Sequence, residues 1–492
     1  MADAPETFNG GRVAKNTTYL TLALLGQKIL SFVYVLLLAR LAGFSITGDY
    51  FGALSFITLF SIFIDLGLTQ AFIRQTARDA VEGVRQFQLI ITVKVISAVI
   101  VVAALFGTIA VLDAYGRSHP DILFLQWAAI IMVIDSLTLT SYGYFRGIQR
   151  LEFESFGTIL HRITVMVVGI TGLVFGAPPV ITMIAVLSGS LANFSFVVFH
   201  LWKQGVAWRP RWHGPTVKRL LFIALPFFIA GFFSAVYASS DNVLLSIFNG
   251  RREVGLFGTA NKIVVAFQIL PAALVAAIFP AMSAAFIQDQ ARLKRIFTSS
   301  MQYLMVIAIP LMVVLILLAK EIVLLLGGSK VWLDAAWPLQ VLALGLPWLF
   351  LNFPVGYLLN SSNQQTRNTI NIGITVVLNV ALNLIFIEQY SYRSVAVISA
   401  GSSALLFLLG LIRVRQIIAV DWGVLIRTLL KTLLAGLIIA AVGWWLLPQV
   451  HGRSGAAMAV AIMAFIYGCL IFIFRLVKRS DILSMVQRFR RS

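Results

Sequence analysis

Apolar residues in this chain come in blocks of about twenty, divided by short charged or Pro/Gly-rich breaks, and about twenty residues is the length of helix that crosses a bilayer's hydrocarbon core. Few folds tolerate that spacing. A run of that length reads as a helix across the bilayer. Of the 492 residues 60% are hydrophobic and 12% charged, whereas soluble domains are about half apolar and a quarter charged. A water-soluble fold is therefore excluded. Cys469 is the only cysteine, which excludes a disulfide scaffold.

The fold class expected is all-α: a polytopic membrane protein of fourteen transmembrane helices. The apolar blocks place them at about 14–41, 47–74, 86–112, 122–146, 151–175, 179–202, 217–248, 253–286, 296–326, 335–360, 367–388, 393–415, 424–447 and 455–478. The first apolar stretch is too long for the h-region of a cleaved signal and follows acidic residues, Asp3 and Glu6. Assigning the breaks to alternate sides puts 26 Lys and Arg on one and 8 on the other. The positive-inside rule then expects both termini in the cytoplasm of a bacterial inner membrane. It also explains the net charge of +19 without any nucleic-acid partner. The connections are too short for a further soluble domain, so function has to sit within or between the helices. Beyond the last span, Ile482, Met485, Val486 and Phe489 share one helical face beside Arg488, Arg490 and Arg491, the pattern of a basic amphipathic helix at 479–492 lying on anionic headgroups.

Four of the 38 basic residues fall on neither side: Lys28, Lys94, Arg162 and Lys262. A charge facing lipid at mid-bilayer costs about 2.5–3.5 kcal/mol on insertion scales, so each should face a polar lumen or an opposite charge. Lys28 shares a stripe with Thr17, Thr21 and Ser31, with Asn16, Gln27 and Tyr34 alongside, and lies too deep to snorkel easily. Lys262 follows Gly255 and Gly258 next to Asn261, and Arg162 shares a face with Ser155 and Thr158. Lys28, Lys262 and Arg162 are accordingly the expected cavity-lining, substrate-binding cations. Lys94, about eight residues from the end of its span, is expected to reach the headgroups. Three carboxylates are similarly deep: Asp65 with Ser55, Thr58, Ser61 and Thr69, Asp135 with Thr138 and Tyr142, and Asp241 with Ser234 and Tyr237. At 1.5 Å per residue Lys28 and Asp65 lie within about 6 Å of the same depth on consecutive helices. Asp65 reads either as the partner keeping Lys28 ionised or as a site for a coupling cation, and Asp135 and Asp241 fall in the same class of ion pair or coupling site. Five scattered histidines show no metal-ligand spacing, and no phosphate-binding glycine loop is present, so neither a metal nor a cofactor nor a catalytic constellation is expected.

An internal repeat adds organisation. Gly48-Asp49-Tyr50-Phe51-Gly52-Ala53 aligns with Gly255-Leu256-Phe257-Gly258-Thr259-Ala260, where a six-plus-six arrangement requires it. The division expected is a first lobe over 1–203, a linker over 204–216, a second lobe over 217–418 and two added helices within 419–478. The run Ala39-Arg40-Leu41-Ala42-Gly43, then Gly48-Asp49-Tyr50, then Asp65-Leu66-Gly67-Leu68 and Arg74 resembles the polysaccharide transporter family, which includes the O-antigen and exopolysaccharide flippases of the multidrug/oligosaccharidyl-lipid/polysaccharide exporter superfamily. Here Ala42 precedes Gly43, displacing the family's usual glycine by one position.

That resemblance implies two six-helix lobes in a V, alternating access around a central cationic cavity, and an undecaprenyl-pyrophosphate-linked oligosaccharide moved from the cytoplasmic to the periplasmic leaflet. The implied partners are the lipid-linked oligosaccharide, membrane lipids, a polysaccharide polymerase and a chain-length regulator; Na+ or H+ would be the coupling ion. Lys28 and Lys262, one per lobe, would attract the anionic head, since flexible lysines release an anion more readily than a bidentate arginine clamp. Pro226, Pro271, Pro310 and Pro347 mark bends within the spans, whether static or moving. Two rivals remain open: a lipid II flippase or drug exporter of the same superfamily, and a membrane polysaccharide polymerase or glycosyltransferase. The second would need a sizeable loop with catalytic acids or bases, and the carboxylates of the short turns (Asp49, Asp113, Asp121, Glu253 and Asp334) do not supply one.

Overall fold

The computed structural model describes residues 10–327, 330–447 and 452–476. The expected amphipathic segment at 479–492 lies outside them, and so do the side chains of Asn16, Thr17 and Thr21. The described residues are helical almost throughout, with no strand among them. Among the described residues, twelve helices are long and apolar enough to cross a membrane. The first of these runs through two of the expected spans, and Gly452–Ile473 supplies one more, which reconciles the observed set with the fourteen expected. This is a multi-pass membrane protein.

The elements differ from the expectation mainly in where they break. Helix α1 (Gly10–Asp65) carries a single non-helical residue, Gly43, at φ 78° and ψ 177°, a conformation open to glycine because it has no Cβ. The second expected span then breaks again before α2 (Leu68–Thr76), where Leu66 and Gly67 are both left-handed. Helices α3 (Ala80–Ala114), α4 (Ile122–Gly147), α5 (Glu152–Val174), α6 (Ile181–Lys203) and α7 (Gly214–Phe248) follow. Asp79 caps α3 by accepting from the Val81 and Glu82 N–H groups, and Asp121 caps α4 through the Leu123 N–H.

The eighth span is two pieces, α8 (Arg251–Ala266) and α9 (Ile269–Gln288). Pro271 explains the gap, since its ring excludes the carbonyl four residues back, at Phe267, and it has no N–H to offer. The chain continues through α10 (Gln290–Leu317), α11 (Ala319–Gly327), a 3-10 turn (Lys330–Ala335), α12 (Ala336–Ser361), α13 (Gln365–Tyr390), α14 (Tyr392–Val414), α15 (Trp422–Leu446) and α16 (Gly452–Ile473). Pro226, Pro310 and Pro347 lie inside helices, as do Pro280 and Pro354.

Packing divides the described residues into two units, one reaching to Thr259 with Asn383–Tyr392 added, the other formed by Ala260–Leu382 and the residues from Arg393 on. The boundary between these two units falls inside α8. In the first unit two apolar clusters stack along the helices. One holds Leu38, Phe56, Leu105, Leu125, Met183 and Val243, and the other holds Phe72, Phe87, Ile90, Phe145, Val197 and Ala224. In the second unit α10, α15 and α16 enclose a core around Val306, Ala435, Ile439 and Leu470, and the Tyr467 hydroxyl donates to the Val306 carbonyl at 2.5 Å.

Candidate functional site

Between the two apolar clusters of the first unit lies a layer of polar side chains, contributed where each helix passes from one cluster to the other. On α1 and α2 the layer falls between Ile64 and Leu68, on α3 between Val93 and Ala98, on α4 between Met132 and Tyr142, and on α6 between Val186 and Val197. These are mid-span positions, where an unpaired polar group costs most and so has to be matched or open to water.

The best matched group is Lys94. It is fully buried, and its ammonium donates to Asp65 Oδ1 at 2.6 Å, Thr69 Oγ1 at 2.9 Å and the Ser136 carbonyl at 3.1 Å, using all three of its donors. The Thr69 hydroxyl in turn donates to Asp65. The break at Leu66 and Gly67 makes this possible: Asp65 ends one helix and Thr69 begins the next, so both turn toward α3 from either side of the interruption. Two expectations are corrected here. Asp65 pairs with Lys94 and not with Lys28, and Lys94 is sealed in the interior and does not reach the headgroups.

A second group surrounds Asp135, which is exposed although it lies at mid-span. The fully buried Ser190 hydroxyl is within hydrogen-bonding reach of this carboxylate and stands 3.4 Å from His161 Nε2. The Arg162 guanidinium is close enough to act electrostatically on Asp135 and on the Tyr34 and Tyr50 hydroxyls. Arg162 Nε and the Tyr34 hydroxyl are buried without a hydrogen-bond partner. Asp135 is thus an exposed carboxylate with Ser190 and the Arg162 cation for neighbours, while His161 stands against Ser190 and the two phenols against Arg162. Nearby, the buried Tyr142 hydroxyl donates to Asn193 Oδ1 at 2.5 Å.

The remaining expected residues lie apart from these groups. Lys28 is exposed, and no ion pair to it is seen among the described residues. Asp241 on α7 is half-buried and accepts from Asn383 Nδ2 at 3.1 Å. Lys262, in the second unit, is half-buried beside Asn261, which lines a small cavity of about 30 Å³ with Ser399 and Ser403. Sequence reading missed α13, whose Asn371, Thr375, Asn379 and Asn383 are all buried. Their spacing of four residues was the available signal, because it puts them on one helical face. Asn379 donates to Ser402 Oγ at 3.0 Å.

The two aligned repeat segments also meet, inside the first unit. A Cβ at Gly48 would lie 1.7 Å from the Arg251 carbonyl oxygen, and one at Gly255 would lie 2.1 Å from that of Phe44. Only glycine permits this approach. Arg251 Nη1 donates to the buried Asp49 Oδ2 at 3.1 Å, and the Asp121 N–H donates to Asp49 Oδ1 at 3.0 Å.

A family profile described as polysaccharide biosynthesis protein matches residues 13–286, and one described as MatE matches residues 226–385. No curated protein matches the sequence. Among solved structures, a lipid II flippase, MurJ, in an inward closed conformation superposes with a TM-score of 0.77 at 18% identity, covering 92% of this chain and 98% of that one. An inward-facing multidrug resistance MATE family transporter of the MOP superfamily superposes with a TM-score of 0.63 at 15% identity, covering 81% and 95%. A MOP superfamily transporter from Pyrococcus furiosus does so with a TM-score of 0.59 at 14% identity, covering 84% and 99%. At these identities the likeness is one of fold.

Proposed function

We propose that this chain, which belongs to the polysaccharide biosynthesis protein family, is a flippase that carries an undecaprenyl-pyrophosphate-linked oligosaccharide from the cytoplasmic to the periplasmic leaflet by alternating access. The observation that carries the reading is the polar layer at mid-span depth, with an accessible carboxylate in it, inside a fold shared with transporters of the MOP superfamily. Apolar helices have no packing reason to hold Asp135, Arg162, His161 and Ser190 together there. A route for sugar hydroxyls and an anionic head supplies one, because side-chain hydroxyls and amides replace hydration and cations offset the pyrophosphate charge.

In this reading Lys28 and Lys262 attract the anion, and Arg162 supports it from the layer. Of the three carboxylates, Asp135 is best placed to hold a coupling Na+ or H+, because Asp65 is engaged by Lys94 and Asp241 by Asn383. The basic connections face the cytoplasm, and the delivered repeat unit would pass to a polymerase and a chain-length regulator. Lys28→Ala and Lys262→Ala, expressed at wild-type level, should each cut export of the glycan sharply. Undiminished export in both variants would remove the cations from the role. Rescue of a lipid II flippase deletion, with no effect on surface glycan, would assign the substrate to lipid II instead.

A further inference from the structure

At one end of the first unit, where α3 and α7 begin, a cavity of about 280 Å³ lies between the first turns of α3 and the segment leading into α7. It is smaller than the roughly 300–1,000 Å³ of pockets for drug-sized ligands, and so suits a headgroup. Its walls are built. Gln88 Nε2 donates to the Ala207 carbonyl at 3.0 Å and the Arg211 N–H to Thr92 Oγ1 at 3.0 Å, which fastens the 204–213 connection along α3.

The lining carries both signs of charge. Arg85 and Arg211 line it together with Thr216 at the start of α7, a 35-residue helix whose first turn has no side-chain cap, leaving backbone N–H groups for an anion. Glu82 lines the cavity as well, 3.9 Å from Arg85 on the same helix. Beside it Gln86, only 7% exposed, lines the cavity with its Oε1 lacking any hydrogen-bond partner. A buried acceptor next to a carboxylate calls for a donor that carries positive charge, while two guanidiniums and a helix start call for a phosphate. Exposed Trp212 at the mouth has the amphipathic character of residues at the membrane–water boundary, and exposed Phe222 and Leu225 continue along α7 from there.

We propose that this cleft binds the phosphoethanolamine headgroup of a membrane lipid, phosphate toward Arg211, Arg85 and the start of α7, ammonium toward Glu82 and Gln86 Oε1, acyl chains along the exposed apolar face of α7. The cleft shares no residue with the mid-span polar layer, and the proposal does not depend on which substrate is carried. Choline is disfavoured by chemistry, because its trimethylated nitrogen has no N–H for Gln86 to accept.

The test uses detergent-solubilised full-length protein titrated with short-chain phosphatidylethanolamine, phosphatidylcholine and phosphatidylglycerol, bound lipid being counted by native mass spectrometry. Phosphatidylethanolamine should be retained about tenfold better than phosphatidylcholine, the ratio expected for one charge-assisted hydrogen bond. Glu82→Gln, a surface change, should erase most of that preference, Gln86→Leu should do the same, and Arg211→Ala should weaken phosphatidylethanolamine and phosphatidylglycerol alike. Water-soluble glycerophosphoethanolamine should compete only at much higher concentration, marking the lipid as the occupant; equal competition would make a free phosphoethanolamine the ligand and overturn the lipid assignment. Equal retention of the ethanolamine and choline lipids by the wild type, or a preference that survives Glu82→Gln, would overturn the proposal.

Discussion

Lys94, fully buried, and Asp65, half-buried, form an ion pair, Nζ to Oδ1 at 2.6 Å, beside a break in the chain between α1 and α2. The pair joins α3 to both sides of that break. Removing one partner from a buried pair strands the other charge and costs about 3–5 kcal/mol in soluble proteins, whereas replacing both by apolar groups is often neutral. Lys94→Met alone and Asp65→Leu alone should therefore lower the melting temperature of the purified protein, and the double variant should recover most of the loss. A Lys94→Met protein that melts with the wild type would show that the pair does not stabilise the fold.

Gly67 should tolerate no side chain. Its φ is +72°, and a Cβ there would stand 2.5 Å from the Phe228 backbone nitrogen and 2.6 Å from the Ala224 carbonyl oxygen. The obstacles are backbone atoms of α7, which cannot rotate away. Gly67→Ala should reduce the folded, monodisperse fraction in fluorescence-detected size exclusion. Gly43 is the control, with φ +78° but nothing within 4 Å. Gly43→Asn should cost only backbone strain, which asparagine bears better than other residues. Equal behaviour of the two variants would mean that the contact with α7 is not tight.

Gly48 and Gly255 let two backbones touch, and a transporter that alternates between states has to open or remake such contacts. Gly255→Val should lower both the folded fraction and glycan export, because the side chain forces the 44–52 and 251–258 segments apart. Export at the wild-type rate would mean that this approach is not part of the working cycle.

Asn383 donates to Asp241 at 3.1 Å. A hydrogen bond to a charged group contributes about 1.5–3 kcal/mol. Asn383→Leu should lower the melting temperature accordingly, with Asn379→Leu, which loses a bond to the neutral Ser402, costing less. The reverse ranking would place the stabilising contact in the second unit's Asn379–Ser402 pair.

The span count, the span positions and the set of deep charges were all legible in the sequence, because hydrophobic length is a local property that the bilayer reads one helix at a time. Depth was legible for Lys28 and Asp135 but not for Lys94, which was expected near the headgroups and is sealed in the interior. Which charge meets which was decided by tertiary structure. A common depth made Lys28 look like the partner of Asp65, but pairing depends on how each helix is rotated and which helix stands beside it, and no residue count along one helix contains either quantity. The left-handed step at Leu66 and Gly67 turns Asp65 and Thr69 onto α3, where Lys94 is waiting. Rotation and neighbours likewise decide that Lys28 is exposed, and that Asp135 is exposed within a layer that exists only when several helices cross it together.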